Sequence, residues 1–212
     1  MGSGLTWVAQ TLTVYLLRLR IGDPGARIVT EGLIWLYAAL VVAIAVFWER
    51  RSVASIGLSK PRFRSLGFGI AGALAMAAAG GLTSYLVYSV LQQPEHADSQ
   101  AAALARGSVG YALCLAVRAG VVEETLFRGL AIEQLNLLSG NRWLAASVAT
   151  LGFILIHALR FDLIQLIPIA AVSVILTALY LWRHDLLANI IAHVLVDGVG
   201  LVTLALQTPK TG

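Results

Sequence analysis

The stretches 66–91 and 163–182 contain no charged side chain. A helix needs about 20 consecutive apolar residues to cross the hydrocarbon of a bilayer, and both stretches meet that length. Apolar runs at 28–48, 143–159 and 186–206 read as further spans. A shorter run at 5–17 either spans or lies at the interface. The stretch 108–138 begins apolar and turns polar after Val122. Polar breaks separate the runs: Glu49-Arg50-Arg51 with Lys60, Arg62 and Arg64, a loop at 92–106 holding Pro94, His96 and Asp98, the turn Ser139-Gly140-Asn141, Arg160-Phe161-Asp162, and Arg183-His184-Asp185. The expected fold is all-α: a polytopic transmembrane helix bundle of about seven spanning helices, in a single domain over 1–212.

Composition agrees with a bilayer as solvent. The chain is 58% apolar and 12% charged, about half the charged fraction of a soluble domain. Its net charge is +4, but the basic residues are scattered and lack aromatic interleaving. They read as loop anchors at anionic headgroups and not as a nucleic-acid surface. Their clustering at 49–64 favours that face as cytoplasmic, with the N-terminus inside. Cys114 is the only cysteine, so neither an internal disulfide nor a thiolate metal site is available; it reads as small core filler. No signal peptide is evident, and the short myristoylation pattern at the start carries little weight in a chain already held by several spans. Gly67, Ala71, Ala75 and Ala79 recur every four residues, a small-residue stripe of the kind that lets helices in lipid approach closely.

Ionisable groups inside spans are costly and point to function. Three clusters stand out: Glu123 to Arg128, Phe153 to His157, and His193 to Asp197. Glu123 lies 17 residues before the Gly140 turn and His157 lies 17 after it. Two antiparallel helices joined there bring both residues to one depth, roughly 25 Å from the turn. His193 and Asp197 sit one helical turn apart, on one face. Glu124 and Arg128 are spaced to pair along their own helix. Glu123 is turned about 100° from Glu124, so it need not share that arginine. Glu123 is then the expected general base and Glu124 the structural anchor. Arg118 is turned about 140° from Glu123 on a regular α-helix; it is expected either to pair with Asp197 or to snorkel to the headgroups.

The ordered patterns Glu123-Glu124-x-x-x-Arg128, Phe153-x-x-x-His157 and His193-x-x-x-Asp197 resemble the three motifs of the CAAX prenyl endopeptidases and bacteriocin-processing enzymes. Ile56-Gly57-Leu58 and Phe127-Arg128-Gly129 are also similar to that family, so the resemblance covers 56 to about 200. It implies an intramembrane glutamate-dependent endopeptidase with its catalytic helices in 108–206 and a polar catalytic cavity inside the bundle. Glu123 and His157 would activate water, with His193 and Asp197 at the oxyanion. Glu124, Arg128 and Phe153 would support the site. The prenyl-protein enzymes of the family usually carry Asn where Asp197 stands. An ionised aspartate cannot donate to an oxyanion, so Asp197 is expected to orient His193 as the cation.

The chemistry needs no cofactor and no metal. Amide hydrolysis requires a deprotonated water, oxyanion donors and a protonated leaving amine, and these side chains supply all three. The expected partners are a membrane-anchored protein or peptide substrate and the lipid bilayer itself; no nucleic acid is expected. The expected location is a prokaryotic cell (inner) membrane. One alternative is a zinc protease with Glu123, His157 and His193 as ligands, although no His-Glu-x-x-His run is present. Another is a non-catalytic scaffold or immunity protein that keeps the site as fold support. A transporter is disfavoured, because no inverted repeat is evident.

Overall fold

The computed structural model describes residues 23–58, 62–91, 108–159 and 161–207. The 5–17 run, Lys60, the 92–106 loop with His96, and Arg160 lie outside the described residues. Among the described residues every regular element is helical. Two compact units are distinguished, Met1–Val53 and Ala54–Gly212. The first contains α1, Asp23–Ala43, which runs on into a π-helical turn, Ile44–Trp48.

The second unit contains α2, Phe63–Leu91; α3, a continuous helix over 109–139; α4, Arg142–His157; α5, Leu163–Arg183; and α6, Leu186–Gln207. α2 packs on α5 and α6, α3 packs along α6 and against α4, and α4 packs on α5. Local chemistry sets the helix ends. Gly140 closes α3 in the left-handed conformation, and the Asn141 side chain accepts from the Trp143 and Leu144 amides to start α4. Asp162 and Gln165 form a reciprocal capping box at the start of α5. His184 ends α5 in the left-handed region, and the Asp185 carboxylate accepts from the Ala188 amide to open α6.

Four helices are long and apolar enough to cross a membrane: Ile28–Trp48, Phe63–Val90, Leu163–Arg183 and Leu186–Gln207. The other two expected spans are helices that depart from a simple span, each for its own reason. α3 is interrupted by Arg118, Glu123, Glu124, Arg128 and Glu133. α4 has 16 residues, about 24 Å at 1.5 Å per residue, against about 30 Å of hydrocarbon. Large apolar side chains such as Leu74, Leu82, Leu155, Val174 and Val199 face outward, as they must where the solvent is lipid. Cys114, expected in the core, is also on the exposed face of α3.

Helices in lipid gain little from hydrophobic burial against one another and depend on close packing. The face of α2 that provides it is not the expected one. Gly67, Ala71 and Ala75 are exposed, and space around Gly67 is open. The buried face carries Ser65, Gly69, Gly72, Ala73 and Met76 instead. A Cβ on Gly69 would meet Ile191 at 2.6 Å and the Ala188 carbonyl oxygen at 3.1 Å. Just beyond, Ala73 and Met76 pack with Leu176, Leu179 and Ala192. A four-residue repeat identified a small-residue stripe, but α2 has small residues on several faces and only contact with α6 selects among them.

Gly69→Leu is therefore expected to lower the thermal unfolding temperature in detergent, by the ~1–3 kcal/mol that overpacking typically costs. Gly67→Leu on the same helix is expected to melt like wild type.

Candidate active site

The middle of α3 is not a regular α-helix. Residues Ala119–Glu123 and Thr125–Ile132 are π-helical. A π-helix bonds residue i to i+5 and so takes more residues per turn than an α-helix. This widening overturns one expectation. Arg118 Nη1 lies 3.1 Å from Glu123 Oε1, five residues ahead, and both side chains are buried. At 100° per residue the two would face apart; across the widened turn they share a face. The guanidinium expected to reach Asp197 on α6 reaches Glu123 on its own helix.

Glu124 is the most enclosed carboxylate of the cluster, with 0% exposure. Arg128 Nη1 donates to its Oε1 at 2.7 Å, as the spacing implied. Two further donors come from α6: His193 Nδ1 at 2.8 Å from Oε1 and Asn189 Nδ2 at 3.2 Å from Oε2. Arg128 in turn donates through Nη2 to the hydroxyl and carbonyl oxygens of Ser173 on α5, and its guanidinium lies 4.5 Å over the Phe153 ring of α4. One carboxylate and one guanidinium thus tie four helices together. Gly120 makes the approach possible. A Cβ there would meet the Ile190 carbonyl oxygen at 3.1 Å and the Val194 amide nitrogen at 3.0 Å.

The depth argument for Glu123 and His157 holds. His157 Nε2 lies 4.0 Å from Glu123 Oε2. His157 Nδ1 is 2.8 Å from the Phe153 carbonyl oxygen. A carbonyl only accepts, so Nδ1 carries the proton and Nε2 of the neutral ring presents a lone pair. The Phe153 side chain is a packing centre. It meets Phe127 edge-on at 5.1 Å, His157 at 4.3 Å and His193 at 6.5 Å. His157 also stacks on Phe161 at 5.9 Å.

His193 stands between two carboxylates. Its Nδ1 faces Glu124, and its Nε2 is 3.5 Å from Asp197 Oδ2. The latter distance is too long for a tight hydrogen bond, and Asp197 is the more exposed partner. Among the described residues no three His, Cys, Asp or Glu side chains converge as metal ligands. The zinc alternative therefore finds no ligand set.

The sequence reading brought Glu123, Glu124, Arg128, Phe153, His157, His193 and Asp197 together, and the structure does the same. It missed Ser173 and Asn189. The available signal was a polar side chain inside an otherwise apolar span, the same signal that singled out His193. A second polar group lies at the far end of α3. Glu133 Oε1 accepts from the Tyr180 hydroxyl at 3.0 Å and lies 3.1 Å from His184 Nε2, and Ser65 donates to Asp185 at 2.7 Å. The Gly57 carbonyl accepts from the Leu186 amide at 2.9 Å. His184, in the polar turn between α5 and α6, holds α5 to α3.

Removing either partner of a buried ion pair strands the other and typically costs ~3–5 kcal/mol. Arg128→Ala and Glu124→Ala are expected to show that loss as lower yield and lower melting temperature in detergent. Ser173→Ala should cost less, because the Ser173 carbonyl still accepts from Arg128.

No curated protein and no solved structure matches the chain. One protein family does. Its model covers residues 105–199, the stretch that supplies every side chain of the Glu123–Glu124 cluster. The part of this integral membrane protein that builds the site matches the model of the Rce1-like family, described as type II CAAX prenyl endopeptidase Rce1-like.

Proposed function

We propose that the protein is an intramembrane endopeptidase that cleaves a membrane-anchored protein or peptide with a water activated by Glu123 and His157. The observation that carries this reading is the facing of two acceptors. Glu123 Oε2 and the Nε2 lone pair of His157 are 4.0 Å apart. Two acceptors at that separation suit a molecule that donates two hydrogens. A water about 2.8 Å from each subtends an angle near ~90°, close to its own bond angle.

From that position the chemistry follows in order. The water oxygen attacks the carbonyl carbon while one proton passes to Glu123. The carbonyl electron pair moves onto oxygen. His193, as the imidazolium, donates from Nδ1 to Glu124 and from Nε2 to the oxyanion. At 3.5 Å, Asp197 steers this ring without holding the Nε2 hydrogen. As the C–N bond breaks, Glu123 returns its proton to the leaving nitrogen. The second water proton leaves the new carboxyl group through His157. Water exclusion by the surrounding helices strengthens each of these interactions.

The Glu124–Arg128–Phe153 unit fixes the four helices that meet at this point. It is read as support, and Glu123, His157, His193 and Asp197 as the catalytic set. We extend the proposal to one transmembrane domain of about seven spans, with a polar cavity inside the helices of 108–206, in a prokaryotic cell membrane. α4 supports it: a short helix that ends at His157 brings its terminus to the depth of Glu123.

Glu123→Gln keeps the side-chain shape and removes the base. Its turnover of a farnesylated reporter peptide in lipid nanodiscs is expected to fall by the roughly 100- to 10,000-fold that a general base contributes, beyond the lower melting temperature that follows from leaving the buried Arg118 charge without its carboxylate. Wild-type turnover with a properly folded Glu123→Gln protein would remove Glu123 as the base. Cleavage is also expected to persist after dialysis against a strong chelator, whereas loss of activity restored by zinc would favour metal chemistry.

A further inference from the structure

The motif pattern assigns no role to Arg118, yet its guanidinium is buried against the carboxylate proposed as the base. The pairing is built, not incidental. A regular α-helix sets residues five apart about 140° from one another, and only the widened turn Ala119–Glu123 brings them face to face. π-helical turns inside α-helices occur frequently at functional sites.

The geometry points to Arg118 as a positioning residue for Glu123, fixing the carboxylate so that its second oxygen faces His157. This rests on the proteolytic reading above for its catalytic meaning. The terminal torsion of a glutamate is broad and roughly two-fold, so a carboxylate bonded at neither oxygen turns freely. Here Oε1 is taken by Arg118 Nη1 at 3.1 Å. Oε2 is then the oxygen left toward His157 Nε2, at 4.0 Å. The partner ring is fixed in the same way, through Nδ1–H to the Phe153 carbonyl at 2.8 Å. Each half of the acceptor pair is thus held by its far atom, leaving its near atom for chemistry. In this arrangement the arginine acts through Glu123.

The test uses the full chain in nanodiscs, with glutamate labelled at the side-chain carboxyl carbon with ¹³C. Glu123→Gln assigns the Glu123 signal by its loss. Arg118→Gln is expected to shift or broaden that signal, and Arg118→Lys to bring it back toward the wild-type position. On the farnesylated reporter peptide, Arg118→Gln is expected to lower kcat by about a hundredfold, the scale of a 1 Å misplacement, with KM within about twofold. Arg118→Lys should recover most of kcat. If Arg118→Gln does not fold, the wild-type protein with ¹⁵N-labelled arginine decides alone. A ¹³C–¹⁵N dipolar contact between the Glu123 carboxyl carbon and a guanidinium nitrogen must appear, and its absence overturns the assignment. An unchanged Glu123 signal in Arg118→Gln likewise overturns it, as does an equal loss in kcat and KM for both variants. If the wild type cuts neither the farnesylated peptide nor an unprenylated membrane-anchored peptide while the signal responds to Arg118, the positioning stands and the proteolytic reading falls.

Discussion

A carboxylate enclosed by protein and lipid has no water to fall back on, so its oxygens must be met by donors from the protein. Glu124 is in that position. Its donors are Arg128 from its own helix and His193 and Asn189 from α6. Arg128 has the same problem with opposite sign, and its Nη2 finds the hydroxyl and carbonyl oxygens of Ser173 on α5. In lipid the helices have little hydrophobic reason to choose one partner over another. A buried ion pair with obligatory partners on α5 and α6, and an aromatic face on α4, makes the choice for them. The small residues then let the chosen helices close, Gly120 against α6 and Gly69 on the other side of α6.

That arrangement explains why two adjacent glutamates have separate tasks. Glu124 is surrounded and its oxygens are committed. Glu123, one residue earlier, has one oxygen committed to Arg118 and the other turned toward His157. In the proposed reading a rigid frame and a reactive group are thus encoded side by side, and the same frame holds His193 through its Nδ1. The short helix α4 belongs to the same logic. Its last residue is His157, so the imidazole is delivered at the depth where α3 widens.

Much of this was legible in the sequence because it depends on spacing that any regular helix would honour. Equal distances from Gly140 placed Glu123 and His157 at one level. Intervals of four placed Glu124 with Arg128 and His193 with Asp197. The failures have physical causes. The angle between Arg118 and Glu123 was computed for 3.6 residues per turn, and the chain there is π-helical. The stripe on α2 was chosen by periodicity in a helix rich in small residues, where only contact with α6 distinguishes the faces. Ser173 and Asn189 were passed over because single uncharged polar groups in a span carry a weaker signal than a charge. Their importance comes from what they bond to on another helix.

The central claim is that Glu123 activates a water and does not itself attack the peptide. A single turnover of the reporter peptide in H₂¹⁸O containing hydroxylamine, followed by mass spectrometry of both product and protein, separates the two chemistries. Direct water attack puts one ¹⁸O into the new C-terminal carboxylate of the product, with no hydroxamate and no label on Glu123. A hydroxamate at the new C-terminus or on Glu123, or ¹⁸O in the Glu123 carboxylate, would mean a covalent acyl intermediate on the glutamate, and would contradict the account.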